Sequence, residues 1–246
     1  MKLRIVTYNI HKGFSTFNRR LMVHELRHHL HSLEADIVFL QEVQGEHQRH
    51  AQRLPAWPPE SQYEFLADKA WSDFAYGRNA VYGHGDHGNA ILSRHPIISA
   101  ENQDVSNHRF EHRGLLHCEV EINAVPLHCL CVHLSLHEGG RRHQVAALTE
   151  RVHRLVPPTA PLIVAGDFND WRGKAGRELI ATLGLTDVCR DPRGRSARTF
   201  PSGLPLLRLD RIYVRGFRVC QAEVHHGLPW SRISDHAALS AEIELL

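Results

Sequence analysis

Carboxylates, carboxamides and one histidine lie where the apolar segments of this 246-residue chain stop. Asn9 ends the first apolar segment, Glu42 ends the second, and Asp167 follows the run at residues 162–165. The same group includes Asn169, Asp210, Asp235 and His236. Any one of these side chains can be explained as a loop cap. Because buried charge is unfavourable unless it is paired or bound to a metal, the set as a whole indicates a reactive site.

These residue types suit metal-assisted attack of water on a phosphate ester. Carboxylate and carboxamide oxygens are hard ligands, which favour Mg²⁺ or Mn²⁺ over zinc. A divalent ion would polarise a phosphoryl oxygen, and a separate carboxylate would deprotonate the attacking water. A histidine held by another carboxylate would stabilise the charge that develops on the phosphate in the transition state.

The elements that must position these side chains are mostly strands. The predicted strands are residues 3–9, 36–42, 63–66, 89–93, 97–105, 114–122, 127–134, 161–165, 210–214, 217–224 and 237–245. Apolar residues at helical spacing predict helices over residues 22–33 and 145–155, and a short third helix over 174–183. Residues 55–60 and 71–88 are predicted as loops. Many strands and few helices indicate two packed sheets with helices outside.

The composition is that of one globular domain spanning residues 1–246. Hydrophobic residues make up 42% of the chain and charged residues 23%, which excludes disordered and collagen-like proteins. The 29 basic and 27 acidic side chains leave a net charge of +2. This balance lacks the strong basicity typical of nucleic-acid binding, although a local basic groove can exist within a neutral total. No apolar run is long enough to span a bilayer.

Cysteine and histidine usage bears on compartment and on metals. The five cysteines are an odd number without a Cys-x-x-Cys motif, a pattern of reducing compartments. The first residues read as a strand, without a signal peptide, so a cytoplasmic location is expected. The 21 histidines are far too many for one metal site, and most are expected at the surface.

Six short segments follow one another in an order that is found in a known superfamily. They are residues 7–13, 40–43, 88–94, 166–170, 209–213 and 234–236. Together they resemble the motifs of the endonuclease/exonuclease/phosphatase superfamily, which includes deoxyribonuclease I, abasic-site endonucleases, inositol-polyphosphate 5-phosphatases and neutral sphingomyelinases. The resemblance implies an α+β fold, a four-layer α/β/β/α sandwich of two mostly antiparallel sheets with helices outside. It also implies phosphate-ester hydrolysis that depends on Mg²⁺ or Mn²⁺.

The resemblance implies roles for the metal and the attacking water. Glu42 would hold the metal directly, with Asn9 at its edge and Asp235 on the same side, directly or through water. Asp167 resembles the residue that orients and activates the nucleophilic water. Asn169 would support the phosphate or the water.

Two histidines and two further residues complete the implied site. Asp210 resembles the partner of His236, fixing its tautomer and favouring its charged form. His133 matches a second histidine of the deoxyribonuclease and sphingomyelinase branches, where abasic-site endonucleases have a different residue. Arg113 resembles a phosphate contact, although it can equally be a surface arginine. Asn89 is expected at the floor of the site.

Two other groups of residues have types or spacings that suit metal ligands. His84, Asp86 and His87 could bind a metal, but a polar rim is the favoured interpretation. His24 and His28 have the i, i+4 spacing of a helical zinc site. Because no third ligand accompanies them, a solvated helix face is favoured.

Several segments, residues 71–82 and 165–172 among them, resemble a bacterial subgroup that is often encoded beside a cardiolipin synthase. The leading hypothesis is a phosphodiesterase whose substrate is a nucleic acid or a phospholipid head group. A nuclease would need a basic groove, and a phosphomonoesterase would need extra cations, for which Lys12 and Arg113 are candidates. A catalytically silent binding scaffold is the alternative that is not an enzyme.

A lipid substrate would need an exposed apolar or aromatic loop for peripheral membrane contact. Trp57, Trp71 and Trp230 are the candidates for this contact. Trp71, Tyr76, Tyr82 and Trp230 flank the matched segments, and they either stack on a substrate or pack in the core.

Overall fold

The computed structural model describes residues 1–107, 111–191 and 193–246, which form twelve strands and six α-helices. The strands are β1 (Lys2–Asn9), β2 (Ile37–His47), β3 (Asp73–Tyr82), β4 (Gly85–Ser93), β5 (Ile97–Asp104), β6 (Gly114–Ile122), β7 (Val125–His133), β8 (Leu162–Asp167), β9 (Thr186–Asp187), β10 (Asp210–Arg215), β11 (Phe217–His225) and β12 (Ala238–Leu245). The helices are α1 (Val23–Ser32), α2 (Gln48–Arg53), α3 (Gln62–Ala67), α4 (Glu138–Leu155), α5 (Lys174–Leu183) and α6 (Trp230–Ile233). In the described part of the chain, no helix has the length and apolar character needed to cross a membrane.

The strands form two six-stranded sheets. The first has the order β11-β12-β1-β2-β4-β3, and the second has the order β5-β6-β7-β8-β10-β9. Strands β1 and β2 pair in parallel, as do β7 and β8, and the other described pairs are antiparallel. The predicted sandwich of two mostly antiparallel sheets is therefore confirmed.

Apolar side chains fill three layers because successive residues of a strand face opposite sides of a sheet. Phe39 of the first sheet and Cys129 of the second belong to the core between the sheets. Leu26 and Leu30 of α1 pack on the outer face of the first sheet. Leu148 of α4 belongs to the cluster on the outer face of the second sheet. This layering is the predicted four-layer arrangement.

The prediction of a strand at residues 63–66 is wrong, because this segment lies in helix α3. Ser61 and Glu64 form a capping box, in which the Ser61 backbone N–H donates to Glu64 Oε2 at 3.2 Å. Phe65 and Leu66 then pack against α1 and the first sheet. A short apolar run fits a strand or a helix equally well, and here the cap decides between them.

The prediction of a loop at residues 71–88 is also wrong, since most of this segment forms the β3–β4 hairpin. The segment lacks an obvious strand pattern because glycines occupy close contacts: a Cβ on Gly88 would overlap the carbonyl oxygen of Gly77. Strand β4 pairs with β2 as far as Gly85. This pairing extends β2 beyond its predicted end at residue 42 to His47.

Candidate active site

Three neighbouring strands of the second sheet bring ionisable side chains to one edge. Asp167 is the last residue of β8, and the parallel register places it opposite His133, the last residue of β7. On its other side Asp167 lies opposite Asp210, the first residue of the antiparallel strand β10. His133 Nε2 lies 3.5 Å from Asp167 Oδ2. The pairing register of the second sheet therefore places the side chains of His133, Asp167 and Asp210 next to one another.

Asn9 connects this edge to the first sheet. It is the last residue of β1, and its Nδ2 donates to Asp167 Oδ2 at 3.2 Å and to Glu42 Oε1 at 3.4 Å. The carbonyl oxygen of Asn9 accepts from Ser234 Oγ at 2.7 Å, and its side-chain Oδ1 accepts from the His11 backbone N–H at 3.1 Å. The carboxamide therefore has one fixed orientation between two carboxylates.

The backbone is strained where Glu42 enters the site. Glu42 has a φ of +57°, and the β2–β4 register shifts between Leu40 and Val43, which marks a bulge. Asn169 has a φ of +47°. A non-glycine residue in this left-handed region is unfavourable by about 1–3 kcal/mol and is concentrated at functional sites. A bulge changes the direction of a side chain. The bulge in β2 includes Glu42, the residue that contacts Asn9.

Asp210 and His236 form a buried carboxylate–imidazole pair. His236 Nδ1 lies 2.9 Å from Asp210 Oδ2 and 3.1 Å from Oδ1. The backbone N–H of Asp210 donates to Thr199 Oγ1, and that of His236 donates to Ser234 Oγ. His236 Nε2 faces the interior of the site, 3.8 Å from Asp167 Oδ2.

The charges of the two histidines are set by their neighbours. Burial by itself lowers the pKa of His236, but the carboxylates of Asp210 and Asp167 outweigh this effect and raise the pKa to about 10. Burial, together with the charges of Arg113 and His236, holds the pKa of His133 well below its ordinary value. Burial raises the pKa of Asp167 to about 6, although the charge of His236 opposes the rise. At neutral pH, His236 is therefore charged and His133 is neutral.

The other two predicted asparagines, Asn89 and Asn169, are also buried. The backbone N–H of Asn169 donates to Asp167 Oδ1 at 2.9 Å, and its Nδ2 donates to the carbonyl oxygen of Leu134 at 2.9 Å. Asn89 Nδ2 donates to the carbonyl oxygen of Gly114 at 3.1 Å. Among the described residues, Asn89 Oδ1 has no hydrogen-bond partner. Asn169 therefore positions Asp167, whereas Asn89 leaves an acceptor without a partner.

Arg113 and Asp235 are only partly buried, whereas most of the predicted site residues are buried. Arg113 Nη2 lies 3.3 Å from Glu111 Oε1, and the charge of Arg113 lowers the pKa of His133. Asp235 Oδ1 lies 3.3 Å from His11 Nδ1, and both side chains are 21% exposed. His11 was not predicted as a site residue. Its place two positions after Asn9, within the first matched segment, is the signal that could have identified it.

The donor groups fit a hard divalent cation. Asp167, Asp210 and His236 offer ligand atoms that lie within 4.8 Å of one another and could hold a metal ion. However, both oxygens of Asp210 face His236, and a protonated imidazole cannot ligate a cation. No ion pair joins Glu42 to His236 among the described residues, and Asn9 Oδ1 keeps a second lone pair beside the one that accepts from the His11 backbone N–H. The oxygens of both side chains have the hard chemistry that Mg²⁺ or Mn²⁺ prefers. The sequence-predicted metal ligands are Asn9, Glu42 and Asp235.

Two of the tryptophans that flank the site are core residues and cannot touch a membrane surface. Trp71 is 2% exposed, and its Nε1 donates to the carbonyl oxygen of Ala35. Trp230 is 8% exposed, and its ring packs edge-on against Tyr8 at 5.8 Å between centroids. Trp57 packs on Phe14 at 6.1 Å between centroids.

The weaker metal-ligand candidates do not converge. Asp86 Oδ1 accepts from Tyr76 Oη at 2.6 Å, and His84 packs on His47 with 4.9 Å between centroids. Among the described residues, His84, Asp86 and His87 do not form a group of ligand atoms close enough for one ion. His24 Nε2 lies 2.7 Å from the carbonyl oxygen of Ala56, so it has a structural partner.

Two cavities flank the site and share Tyr82 and His87 as lining residues. The larger has a volume of about 850 Å³ and is also lined by Arg113 and Glu111. The smaller, of about 420 Å³, is lined by Lys12 and by several imidazole rings. These rings belong to His47, His50, His84 and His87. His84 and His87 were expected at a polar rim, whereas His47 and His50, from a separate segment of the chain, were not predicted beside them.

A relative of known sequence matches almost the full chain. The Escherichia coli (strain K12) protein YbhP is 51% identical over 247 residues, which cover 98% of this chain and 96% of that protein.

Solved structures share the fold at low sequence identity. An endonuclease/exonuclease/phosphatase from Beutenbergia cavernae DSM 12333 has a TM-score of 0.80 and 21% identity, covering 99% of this chain and 72% of that one. TDP2 of D. rerio, solved with a single-strand DNA product, has a TM-score of 0.69 and 20% identity, covering 99% of both chains. The mannosyl-6-phosphatase Bt3783 of Bacteroides thetaiotaomicron VPI-5482 has a TM-score of 0.71 and 14% identity, covering 99% and 100%. The model of the Endonuclease/Exonuclease/phosphatase family matches residues 6–236, and the chain therefore belongs to this family.

Proposed function

We propose that the chain is a divalent-metal-dependent phosphodiesterase that breaks a P–O bond with an activated water. The observation that carries this proposal is one continuous set of contacts from sheet to sheet. Asn9 contacts both Glu42 and Asp167. Asp167 in turn faces the imidazole of His236, which pairs with Asp210. Hard oxygen ligands, a base and a charged hydrogen-bond donor, the imidazole of His236, are thus side by side.

Asp167 is placed to accept the proton of the attacking water. Asn9 and Asn169 each donate one hydrogen bond to its carboxylate, which fixes its orientation. Burial raises its pKa to about 6, and a general base works best with a pKa near the working pH. As the new P–O bond forms, the water proton passes to Asp167. The ester oxygen leaves with the electrons of the broken P–O bond and is protonated by solvent.

His236 supplies positive charge that is already in position. Because Asp210 keeps the imidazole protonated, its Nε2–H can donate to a phosphoryl oxygen as negative charge develops there. The neutral His133 can donate a further hydrogen bond without adding charge. A bound Mg²⁺ or Mn²⁺, held by Glu42, Asn9 and Asp235, would polarise the phosphoryl group and stabilise the leaving oxygen.

The two flanking cavities support a diester over a monoester. A phosphodiester has a substituent on each side of the phosphorus atom and needs space on both sides. The cavities of about 850 Å³ and 420 Å³ share Tyr82 and His87 as lining residues, and the larger is also lined by Arg113, so they offer space beside the site for both substituents.

The proposal is tested by replacing the metal ligand. Glu42→Ala should abolish hydrolysis of bis(p-nitrophenyl) phosphate in Mg²⁺ or Mn²⁺, while circular dichroism and thermal melting stay close to the wild type. The matched control is Glu46→Ala, because Glu46 is an exposed residue of the same strand and should keep full activity. Full activity of Glu42→Ala would remove it from the mechanism.

A phospholipid head-group substrate is the second candidate, and an exposed apolar loop favours it. Leu204 is 72% exposed, Leu206 55% and Leu228 70%. This surface adjoins the site, because the Ser202 backbone N–H donates to the carbonyl oxygen of Asp235. Exposed leucines beside a reactive centre suit contact with a lipid surface.

Vesicle binding tests this second candidate. The wild type should co-sediment with phosphatidylglycerol vesicles, and the double variant Leu204→Ser/Leu228→Ser should bind at least tenfold more weakly. Hydrolysis of bis(p-nitrophenyl) phosphate, which needs no membrane, should be unchanged in the variant. A wild type that ignores the vesicles would exclude the lipid candidate and leave the phosphodiesterase proposal intact.

A further inference from the structure

A second cavity with strongly basic walls lies beside α5, next to the reactive centre but separate from it. Its volume is about 370 Å³, and the described residues that line it include six arginines and no carboxylate. They come from three segments of the chain that the fold brings together. The arginines are Arg172, Arg177, Arg190, Arg195, Arg208 and Arg211.

Arg211 forms the base of this cavity and is only 1% exposed. Its Nη1 lies 3.2 Å from Asp170 Oδ2, and its Nη2 donates to the carbonyl oxygen of Asp170 at 2.6 Å. Its Nε is buried and, among the described residues, has no acceptor. Since a buried donor without an acceptor is unfavourable, the base of the cavity holds an unsatisfied cationic donor.

The carboxylate of Asp170 is already committed to other groups. Its Oδ1 accepts from the Lys174 backbone N–H, and its Oδ2 accepts from that of Gly176, at 3.0 Å in each case. Asp170 therefore caps helix α5 and pairs with Arg211 at the same time. It cannot balance the charges of the other arginines that line the cavity.

Most of the other arginines have weak counter-charges or none. On the surface, Arg195 pairs with Asp191 at 2.9 Å and Arg172 with Glu138 at 3.9 Å. Among the residues with described coordinates, no carboxylate lies within ion-pair distance of Arg177, Arg190 or Arg208. Partial burial, and then the charges of Arg198 and Arg195, lower the pKa of Arg208. Three of the six arginines thus have no carboxylate partner among the described residues, so the positive charge of the cavity is only partly neutralised.

Phosphate is the anion that best matches this cavity. A guanidinium presents N–H groups in a planar fork that binds two oxygens of a phosphate at once. A phosphate monoester carries up to two negative charges and three terminal oxygens, so it can engage several forks together. The volume of about 370 Å³ admits a phosphate group together with part of the molecule that bears it.

We propose that the arginine cavity is a binding site for a phosphate monoester or inorganic phosphate, separate from the Asp167–His236 centre. Arg211 follows Asp210 in β10, and Asp170 follows Asn169, so the two sites share a backbone while their side chains face different spaces. This inference does not depend on the reaction proposed above. An anion held here is bound beside the reactive centre and is not the phosphate that reacts.

Trp171 provides a local reporter, because it lines the cavity and is 40% exposed. Inorganic phosphate added to the metal-free protein at constant ionic strength should change the tryptophan fluorescence along a saturable curve. The Trp171→Phe variant should lose this signal. Phosphate should also raise the melting temperature of the wild type.

The double variant Arg190→Gln/Arg208→Gln tests the site. We expect phosphate to bind it at least tenfold more weakly, and the shift in melting temperature to disappear. The matched control is Arg154→Gln, an exposed arginine on α4, which should bind phosphate like the wild type. The His236→Ala variant should also bind normally, because its change lies in the reactive centre.

Two results would overturn the proposal. One is equal phosphate affinity in the wild type and in the Arg190→Gln/Arg208→Gln variant. The other is loss of the Trp171 signal in His236→Ala, which would show that phosphate binds only at the reactive centre. Glycerol phosphate distinguishes the sources of the ligand: affinity equal to that of inorganic phosphate supports the end of a larger molecule, and much weaker affinity supports free phosphate. Both of these outcomes support the site.

Discussion

Two buried histidines beside strands of the second sheet differ in charge, although the residue type is the same. In the reactive centre, two carboxylates raise the pKa of His236 to about 10 against the effect of burial. On the outer face of the sheet, below α4, burial and the positive charge of Arg151 lower the pKa of His117 to about 4. The first imidazole holds a proton at neutral pH, and the second does not.

The hydrogen bonds explain this difference. Arg151 Nε donates to His117 Nδ1 at 3.3 Å, so this nitrogen must be an acceptor. His117 Nε2 therefore carries the proton and donates to His128 Nδ1 at 3.1 Å. Arg151 is held in turn by Glu101 at 2.8 Å. Both imidazoles are buried, so burial does not distinguish them. The charge of the hydrogen-bonded partner determines whether the imidazole is protonated, and only the protonated one is suited to a role in the reaction.

The largest effect is expected from replacing Asp210, the carboxylate partner of the charged His236. Asp210→Asn should lower kcat for bis(p-nitrophenyl) phosphate by about 10²–10³-fold, because losing one preorganised hydrogen-bond donor to the transition state lowers kcat by this factor. KM should change far less. The neutral imidazole supplies the control: His117→Gln should keep the wild-type kcat. A near-normal kcat in Asp210→Asn would contradict the role of the Asp210–His236 pair.

Replacing Arg151, the positively charged partner of the neutral His117, should lower the stability of the protein and leave its turnover unchanged. Arg151→Met leaves His117 Nδ1 without its donor, and an unsatisfied buried acceptor is unfavourable by about 1–3 kcal/mol. We expect the free energy of unfolding in urea to fall by this amount while kcat is unchanged. A tenfold loss of kcat without a change in stability would show that the two histidines are coupled.

The ends of the strands could be predicted from the sequence. Asn9 and Asp167 interrupt apolar runs, and a polar residue at such a break marks the edge of a sheet. The structure brings both to that edge, with their side chains in contact. The helical segment at residues 63–66 and the hairpin at 71–88 could not be predicted, because a short apolar run is ambiguous and glycines conceal a strand pattern.

The resemblance of residues 209–213 and 234–236 to known motifs implied the Asp210–His236 pair and its charged imidazole. The neutral His117 and the basic cavity could not be predicted, since Arg151 and His117 are 34 positions apart and match no motif. The positive φ of Glu42 depends on the β2–β4 register. The net charge of +2 gives no sign of the arginine cavity, because acidic residues elsewhere in the chain balance its positive charge.

The neutral His117 should also make the stability of the protein depend on pH. His117 is neutral in the folded state down to a pKa of about 4, whereas an unfolded histidine is protonated below about 6.5. Between these values the unfolded chain binds more protons, so the free energy of unfolding falls as the pH falls. One such group contributes up to about 1.4 kcal/mol per pH unit. His117→Gln should reduce this slope in urea titrations between pH 6 and pH 4.5, and an unchanged slope would contradict the buried neutral state.

The smallest effect is expected at an exposed histidine of the same region. His153 lies on α4, two positions from Arg151, but its side chain is exposed to solvent. His153→Gln should change the free energy of unfolding by no more than about 0.5 kcal/mol, as is usual for surface substitutions. Its slope against pH should match that of the wild type. If His153→Gln reduced the slope as much as His117→Gln, then the acid sensitivity would come from the total number of histidines and not from the contacts between His117 and Arg151.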